Sequence, residues 1–72
     1  MLVVSYDIAN NKLRTRFMKM LKKHGAIRLQ FSVYEINNTK RIRDILKVQI
    51  ETRFASQFDG GDSIFVFETD KI

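Results

Sequence analysis

The chain has 72 residues, no cysteine and a formal net charge of +5. This length predicts one domain, residues 1–72, near the lower limit for a core without disulfides or metal. The absence of cysteine excludes disulfides and cysteine-based zinc sites. We recognise no signal peptide and no membrane-spanning run, so the sequence predicts a cytoplasmic protein without a membrane partner. The charge favours polyanions, although charge alone does not separate nucleic acid from an anionic membrane surface.

The first third of the chain predicts a strand, a turn and a helix. Residues 2–8 form an apolar, β-rich run, and the Ala-Asn-Asn sequence after it suits a turn and a helix N-cap. Apolar residues between Lys12 and His24 recur on one helical face, which predicts an amphipathic helix. Gly25 suits the position that follows a helix C-terminus.

The rest of the chain predicts a hairpin, a second helix and a last strand. Residues 26–36 alternate apolar and polar side chains, and we place a bend at residues 30–32. Residues 37–39, Asn-Asn-Thr, predict a second turn and cap. The helix that follows has a predicted inward stripe, with Phe54 at its end, made of Ile42, Ile45, Leu46, Gln49, Ile50 and Arg53. Residues 59–62, Asp-Gly-Gly-Asp, separate it from a last strand at residues 63–68.

This order of elements predicts an α+β fold, the ferredoxin-like β-α-β-β-α-β sandwich, with two helices on one face of a four-stranded antiparallel sheet. The last strand has Ile64 and Val66 on one side and Phe65 and Phe67 on the other. Two helices cover only one face of such a sheet. We therefore expect the other face to form a two-fold homodimer, and the alternative is a monomer with a few exposed aromatic side chains.

The first helix carries a stripe of positive charge within roughly 60° on a helical wheel, formed by Lys12, Arg16, Lys19 and Lys23. Like charges at i,i+4 each cost roughly 0.2–0.5 kcal/mol, so stability alone does not select the stripe. The second helix is an internal control, because its exposed residues alternate in sign: Lys40, Asp44, Lys47 and Glu51. The first helix thus predicts a salt-sensitive phosphate-binding surface, which Arg28 would extend; a solvated face is the alternative.

Asp7 is the only acidic residue between Met1 and Tyr34, and it ends the first apolar run. Mg²⁺ is usually held by one or two carboxylates together with water and phosphate, and a two-fold axis would supply a second Asp7. Two such carboxylates would repel each other until a divalent ion bridged them, so metal binding should depend on pH. Metal-assisted phosphodiester hydrolysis would follow. The alternative is that Asp7 accepts backbone N–H bonds in the next turn.

Other side chains and motifs point away from further catalytic sites. His24 is predicted to cap the first helix rather than to act as a base. Four aromatic residues could stack on bases, but the ribonucleoprotein motif is absent and packing is favoured; they are Tyr6, Tyr34, Phe65 and Phe67. The sequence contains no phosphate-binding glycine loop, serine nucleophile elbow or zinc-ligand spacing.

Three segments, in this order, resemble the CRISPR-associated protein two family: Val4-Ser5-Tyr6-Asp7-Ile8, Leu13-Arg14-Thr15-Arg16, and the Arg-Leu-Gln-Phe-Ser-Val-Tyr-Glu sequence of residues 28–35. The resemblance implies a small homodimeric adaptation subunit that binds duplex DNA. It would bridge subunits of the CRISPR-associated protein one integrase, in a heterohexamer, while new spacers are inserted. The alternative that the resemblance implies is a metal-dependent endonuclease acting on single-stranded RNA or duplex DNA, and a toxin-type ribonuclease of similar fold is a third reading.

The resemblance also implies roles for individual residues. Asp7 would be metal ligand and catalytic residue, and Tyr6 beside it would be a second catalytic residue. Mg²⁺ or another divalent cation would be shared between two subunits. Arg14, Arg16 and Arg28 match basic positions of the family and would contact phosphate.

Ser32 and Tyr34 match a segment near the active face of the family, and many relatives have phenylalanine in place of Tyr34. Relatives commonly continue past the last strand with a tail that reaches the other subunit or the integrase. Here we expect a short, disordered tail at residues 69–72.

Overall fold

The elements follow the predicted order in a computed structural model, which describes residues 1–70. They are β1 (Leu2–Asp7), α1 (Asn11–Lys23), β2 (Ile27–Gln30), β3 (Val33–Ile36), α2 (Lys40–Gln49) and β4 (Ser63–Glu68). A π-helical segment (Ile50–Phe54) and a 3-10 turn (Ala55–Gln57) follow α2. Over residues 1–70, the helices are too short and too polar to cross a membrane.

The four strands form one antiparallel sheet in the order β2-β3-β1-β4. Val4 of β1 pairs with Tyr34 of β3 on one side and with Val66 of β4 on the other. Successive side chains of a strand point to opposite faces, and the even-numbered residues of β1 are the buried ones. This architecture confirms the predicted ferredoxin-like fold.

Capping side chains determine where both helices begin. The Asn10 side chain accepts a hydrogen bond from the Leu13 N–H at 2.9 Å, and the Thr39 hydroxyl accepts one from the Ile42 N–H at 3.1 Å. After α1, Gly25 has a φ of 90°, a value that glycine adopts without a Cβ clash. The predicted turn residues therefore have the expected roles, and α1 begins one residue before the predicted Lys12.

The predicted hairpin bend is confirmed. Phe31 and Ser32 form the turn between β2 and β3, and Ser32 has a φ of 62°. The Ser32 carbonyl accepts a hydrogen bond from the Tyr6 N–H at 3.1 Å, which attaches the turn to the central strand.

Aromatic side chains join the sheet to the helical layer. Phe17 of α1 is fully buried and meets two rings edge to face, Tyr6 at 4.9 Å between centroids and Phe54 at 5.0 Å. Each such pair adds about 0.5–1.5 kcal/mol beyond the burial of its area. Phe17 therefore connects β1, α1 and the segment that follows α2.

The inward stripe of α2 differs from the prediction at its end. Arg53 was expected to point inward, and this was wrong: its side chain is exposed, with the guanidinium carbon 5.6 Å from the Phe54 ring centroid. The π-helical segment has more residues per turn than an α-helix. Phe54, at 1% exposure, consequently takes the inward position.

The sheet face away from the helices is apolar and open. Phe65 and Phe67 lie on it at 56% and 51% exposure, with their rings stacked at 6.1 Å. They pair with Ser5 and Val3 of β1, so the apolar surface continues onto the central strand at Val3. The predicted homodimer across this face stays a prediction.

The C-terminal residues differ in part from the expected disordered tail. The Thr69 N–H donates to the Met1 carbonyl at 2.9 Å, and the Thr69 carbonyl accepts from the Met1 amino group at 3.1 Å. Thr69 therefore continues the pairing of β1 with β4, and the expectation was wrong there. Residues 71 and 72 lie outside the described part of the chain.

We predict that Phe17→Ala lowers the free energy of unfolding by about 3–5 kcal/mol, because it removes a fully buried ring and leaves a cavity. Urea unfolding followed by circular dichroism measures the change. Val48→Ala is the control: Val48 is 54% exposed on α2, and its removal should change stability by less than about 0.5 kcal/mol. Equal losses in the two variants would contradict a core centred on Phe17.

Candidate nucleic-acid and metal site

Asp7 lies at the end of β1, where it pairs with Ser63 at the start of β4. Its odd position in β1 directs the side chain to the open sheet face, and the residue is exposed. Over residues 1–70, none of the hydrogen bonds or salt bridges of the structure involves its carboxylate. Both carboxylate oxygens therefore remain available to a ligand.

The turn after β1 is stabilised by a different aspartate. One carboxylate oxygen of Asp62 accepts a hydrogen bond from the Ala9 N–H at 3.0 Å, and the other accepts one from the Asp59 N–H at 3.0 Å. These bonds, the one from Ala9 first, lower the pKa of Asp62. Asp62 thus has the role that the alternative interpretation gave to Asp7.

The donor set for a metal is incomplete in one chain. Among residues 1–70, no three side chains of histidine, aspartate or glutamate are grouped to hold an ion. A free, exposed carboxylate is one of the one or two that Mg²⁺ usually receives from protein, with water and phosphate as further ligands. Asp7 therefore offers one carboxylate that fits a metal ligand but does not complete a site within one chain.

Tyr6 lies on the opposite face of the sheet from Asp7. It is 6% exposed, and its ring stacks on that of Tyr34 with 6.2 Å between centroids. Burial, and then the neighbouring Tyr34 phenol, raise the pKa of Tyr6 to about 12. The Tyr6 phenol is therefore neutral at physiological pH, and the structure does not bring it together with the Asp7 carboxylate.

A basic groove runs between α1 and the end of α2. Its volume is about 320 Å³, and its cationic lining consists of Arg16, Lys19, Lys23 and Arg53. His24 and Gln49 also line it, and no lining residue is acidic. Lys12 lies outside this groove, in a shallower depression that it shares with Arg16. Three of the four predicted stripe residues therefore converge on one groove.

Arg53 is the groove residue that sequence reasoning missed. Its position in the helical pattern placed it on the inward stripe, and only the π-helical segment turns it outward. The signal that could have found it is its charge, since an arginine without a buried acidic partner rarely points into a core.

The positive charge of the groove is not neutralised within the described chain. The sole salt bridge of residues 1–70 joins Lys40 to Asp44 at 2.7 Å, on the exposed face of α2. One pair of the alternating charges of α2 therefore forms a salt bridge, whereas the cations of α1 have no carboxylate partner in residues 1–70.

Two further predicted phosphate contacts, Arg14 and Arg28, lie elsewhere. Both guanidinium carbons are 5.9 Å from the ring centroid of Phe31. Arg14 also donates to the Ile8 carbonyl at 3.1 Å and to the Asn11 side chain. The structure thus divides the predicted basic residues between the groove and the β2–β3 turn.

The two motif residues beside this turn are mostly packed. Ser32 is half-buried at the corner of the hairpin, and Tyr34 is 4% exposed beneath the helices. The Ser32 carbonyl attaches the turn that carries Phe31 to β1, and the ring of Tyr34 packs on that of Tyr6. The predicted place of both residues near an active face stays a prediction.

The fold and the site define a class of protein: a small ferredoxin-like domain with a basic helical layer and a free carboxylate at the end of its central strand. The family model described as CRISPR associated protein Cas2 matches residues 1–71. The chain belongs to this family, which confirms the resemblance seen in the sequence.

Two relatives show how far the similarity extends. A curated protein of Methanospirillum hungatei JF-1, named CRISPR-associated endoribonuclease Cas2 2, is 28% identical over 67 residues, which are 93% of this chain and 70% of the relative. The crystal structure of a hypothetical protein from Thermus thermophilus matches with a TM-score of 0.77 and 27% identity. That match covers 97% of this chain and 80% of the other.

We predict that Asp62→Ala destabilises the fold at about pH 7 and that its difference from wild type shrinks as the pH falls below about 4. The folded-state pKa of Asp62 is below its ordinary value of 3.8, so its stabilisation is present above that pH and is lost on protonation. Urea unfolding at several pH values measures this difference. Asp59→Ala removes a charge from the same loop but keeps the backbone donor, so it should show little of the effect. A pH-independent loss in Asp62→Ala would be the contrary result.

Proposed function

We propose that this protein is a homodimeric subunit of CRISPR adaptation that binds duplex DNA and bridges CRISPR-associated protein one integrase subunits while new spacers are inserted. The observation that carries the proposal is the basic groove of the helical layer, with Arg16, Lys19, Lys23 and Arg53. Membership of the Cas2 family supports the biological context.

The chemistry of the groove suits a phosphate backbone better than a small anion. Its four cations are spread along two helical segments, and they have no carboxylate partners in residues 1–70. Neutralising phosphates releases condensed counterions, so affinity should fall with salt, with a slope of about −0.9 per phosphate contact. Such contacts carry no base specificity, which suits a subunit that accepts duplexes of many sequences.

The open sheet face supports the bridging part of the proposal. A dimer formed through Phe65 and Phe67 would bury the apolar faces and leave both helical layers outside. Each layer carries one basic groove, so the dimer would present two phosphate-binding surfaces related by a two-fold axis.

We predict that Lys19→Glu weakens binding to duplex DNA and lowers the slope of log affinity against log salt by about 1 for each groove in contact. Fluorescence anisotropy with a labelled duplex at several salt concentrations measures both. Lys47→Glu makes the same charge change on the exposed face of α2 and should leave the slope nearly unchanged. Equal effects of the two variants would show that net charge, rather than the groove, binds DNA.

A second candidate function is metal-dependent cleavage of phosphodiester bonds, and the free carboxylate of Asp7 favours it. Asp7 lies on the open face, so a dimer through that face would place both Asp7 carboxylates in the layer between the two sheets. They would hold Mg²⁺ or another divalent cation, which when bound supplies charge neutralisation and an activated water. The relative named as an endoribonuclease supports RNA as substrate.

The protein's own residues would bind and position the substrate. Arg14 donates to the carbonyl of Ile8, the residue next to Asp7, so its guanidinium lies at the same end of β1. Arg28 lies at the β2–β3 turn, 5.9 Å from the centroid of Phe31, and would add a second cation for phosphate. The neutral, buried phenol of Tyr6 has no route to the Asp7 face and would act through packing.

We predict that Asp7→Ala and Asp7→Asn each lower Mg²⁺-dependent cleavage about a hundredfold or more, while binding to nucleic acid is retained. Cleavage is measured on labelled single-stranded RNA and duplex DNA, each in the presence of Mg²⁺ or of EDTA. Tyr6→Phe, which keeps the buried ring, is the matched control and should cleave like wild type.

The outcomes separate the two functions. Duplex binding without cleavage in wild type and all variants would reject the nuclease and keep the bridging subunit. Cleavage that survives in both Asp7 variants would place the reaction outside the Asp7 site.

A further inference from the structure

The exposed ring at the β2–β3 turn has no role in the functions described above. We propose that Phe31, between Arg14 and Arg28, is a stacking platform for an unpaired base of single-stranded nucleic acid. This inference rests on the proposed binding of nucleic acid, and it specifies single strands as a form that the protein would bind.

Phe31 is displayed to solvent rather than packed. At 70% exposure it is the most exposed large apolar side chain of residues 1–70, whereas Phe17 and Phe54 are at 0% and 1%. An aromatic ring contributes to folding mainly through buried area, so this ring contributes little to the core.

The ring is displayed from a defined corner of the backbone. The next residue, Ser32, has a φ of 62°, a conformation that is uncommon for residues other than glycine. The hydrogen bond from the Tyr6 N–H to the Ser32 carbonyl, at 3.1 Å, attaches this corner to the central strand. A base that stacks on Phe31 would therefore meet a surface that is already positioned.

Two guanidinium groups flank the ring. Each guanidinium carbon is 5.9 Å from the Phe31 centroid, at the outer limit of a cation–π contact, so this interaction alone does not account for the exposed ring. Arg14 is held by the Ile8 carbonyl and the Asn11 side chain. A base on the ring would have its own phosphates within reach of two cations.

An exposed ring flanked by two cations favours single-stranded nucleic acid over a duplex. In a duplex the faces of the bases are covered by their neighbours, so an exposed ring gains nothing from them. An unpaired base presents a free face, and stacking on an aromatic side chain does not depend on its identity. The nearby Ile27 and Leu29 are also exposed, at 60% and 53%, which suits a protein partner at this sheet edge. The two flanking cations favour the polyanion.

Fluorescence tests the contact directly, because the chain contains no tryptophan. Phe31→Trp introduces a single reporter, and Val48→Trp, at a side chain that is 54% exposed on α2, is the control. We expect a thymidine oligonucleotide of about ten residues, a length within the range of single-strand binding sites, to quench Phe31→Trp but not Val48→Trp. Binding seen by anisotropy without quenching of Phe31→Trp would overturn the proposal.

Affinity provides the second test. Phe31→Ala should weaken binding of the single strand by about 5- to 100-fold and that of a duplex by less than about twofold, while Phe31→Tyr keeps the single-strand affinity. Unchanged thermal unfolding of Phe31→Ala would show that the fold is intact. Equal losses for single strand and duplex, or a changed oligomeric state without loss of single-strand binding, would overturn the platform.

The same titrations separate this proposal from the basic groove. If Lys19→Glu leaves duplex binding intact while Phe31→Ala weakens only the single strand, the groove fails and the platform stands. If Lys19→Glu weakens the duplex while Phe31→Ala changes nothing, the platform fails and the groove stands.

Discussion

The contact of Phe17 with Tyr6 and Phe54 is the constraint on which the rest of the structure depends. It packs the even-numbered side chains of β1 against the helical layer. Because successive side chains of a strand point to opposite faces, Asp7 lies on the other face. It also orients α1 with Phe17 inward, which turns the charged side chains of that helix outward. The core therefore determines where both candidate sites lie, although within residues 1–70 it contains no charged side chain.

The geometry of α1 determines which surfaces of the domain receive the positive charges of that helix. Arg14 and Arg16 are two positions apart, which is about 200° on a helical wheel, so neighbours in one short motif face different surfaces. Arg16 joins Arg53 in the groove between the helices, and Arg14 reaches the β2–β3 turn instead. One segment of sequence thereby supplies cations to two surfaces that could bind different forms of nucleic acid.

The open sheet face favours association of the domain. A small domain has little area to bury on its own, and here the exposed rings of Phe65 and Phe67 lie on the same open face as the free carboxylate of Asp7. Association through that face would bury more apolar area and would bring two free Asp7 carboxylates into the same interface.

The sequence by itself determined the order of the elements, the caps at Asn10 and Thr39, the bend at Phe31 and Ser32, and the basic character of α1. These features follow from interactions between residues a few positions apart, such as strand alternation and the 3.6-residue helical period. The Cas2 family assignment likewise came from short motifs that the sequence shows directly.

Tertiary structure alone decided the features that depend on distant contacts. Asp62 holds the turn beside Asp7 although 53 positions separate it from Ala9. The π-helical segment, which puts Phe54 against Phe17, places Arg53 in the groove. Arg14 and Arg28 meet at Phe31 because the hydrogen bond from the Tyr6 N–H to the Ser32 carbonyl attaches the β2–β3 turn to β1, close to the first turn of α1. Local periodicity carries no information about which distant segments meet, since packing between layers determines that.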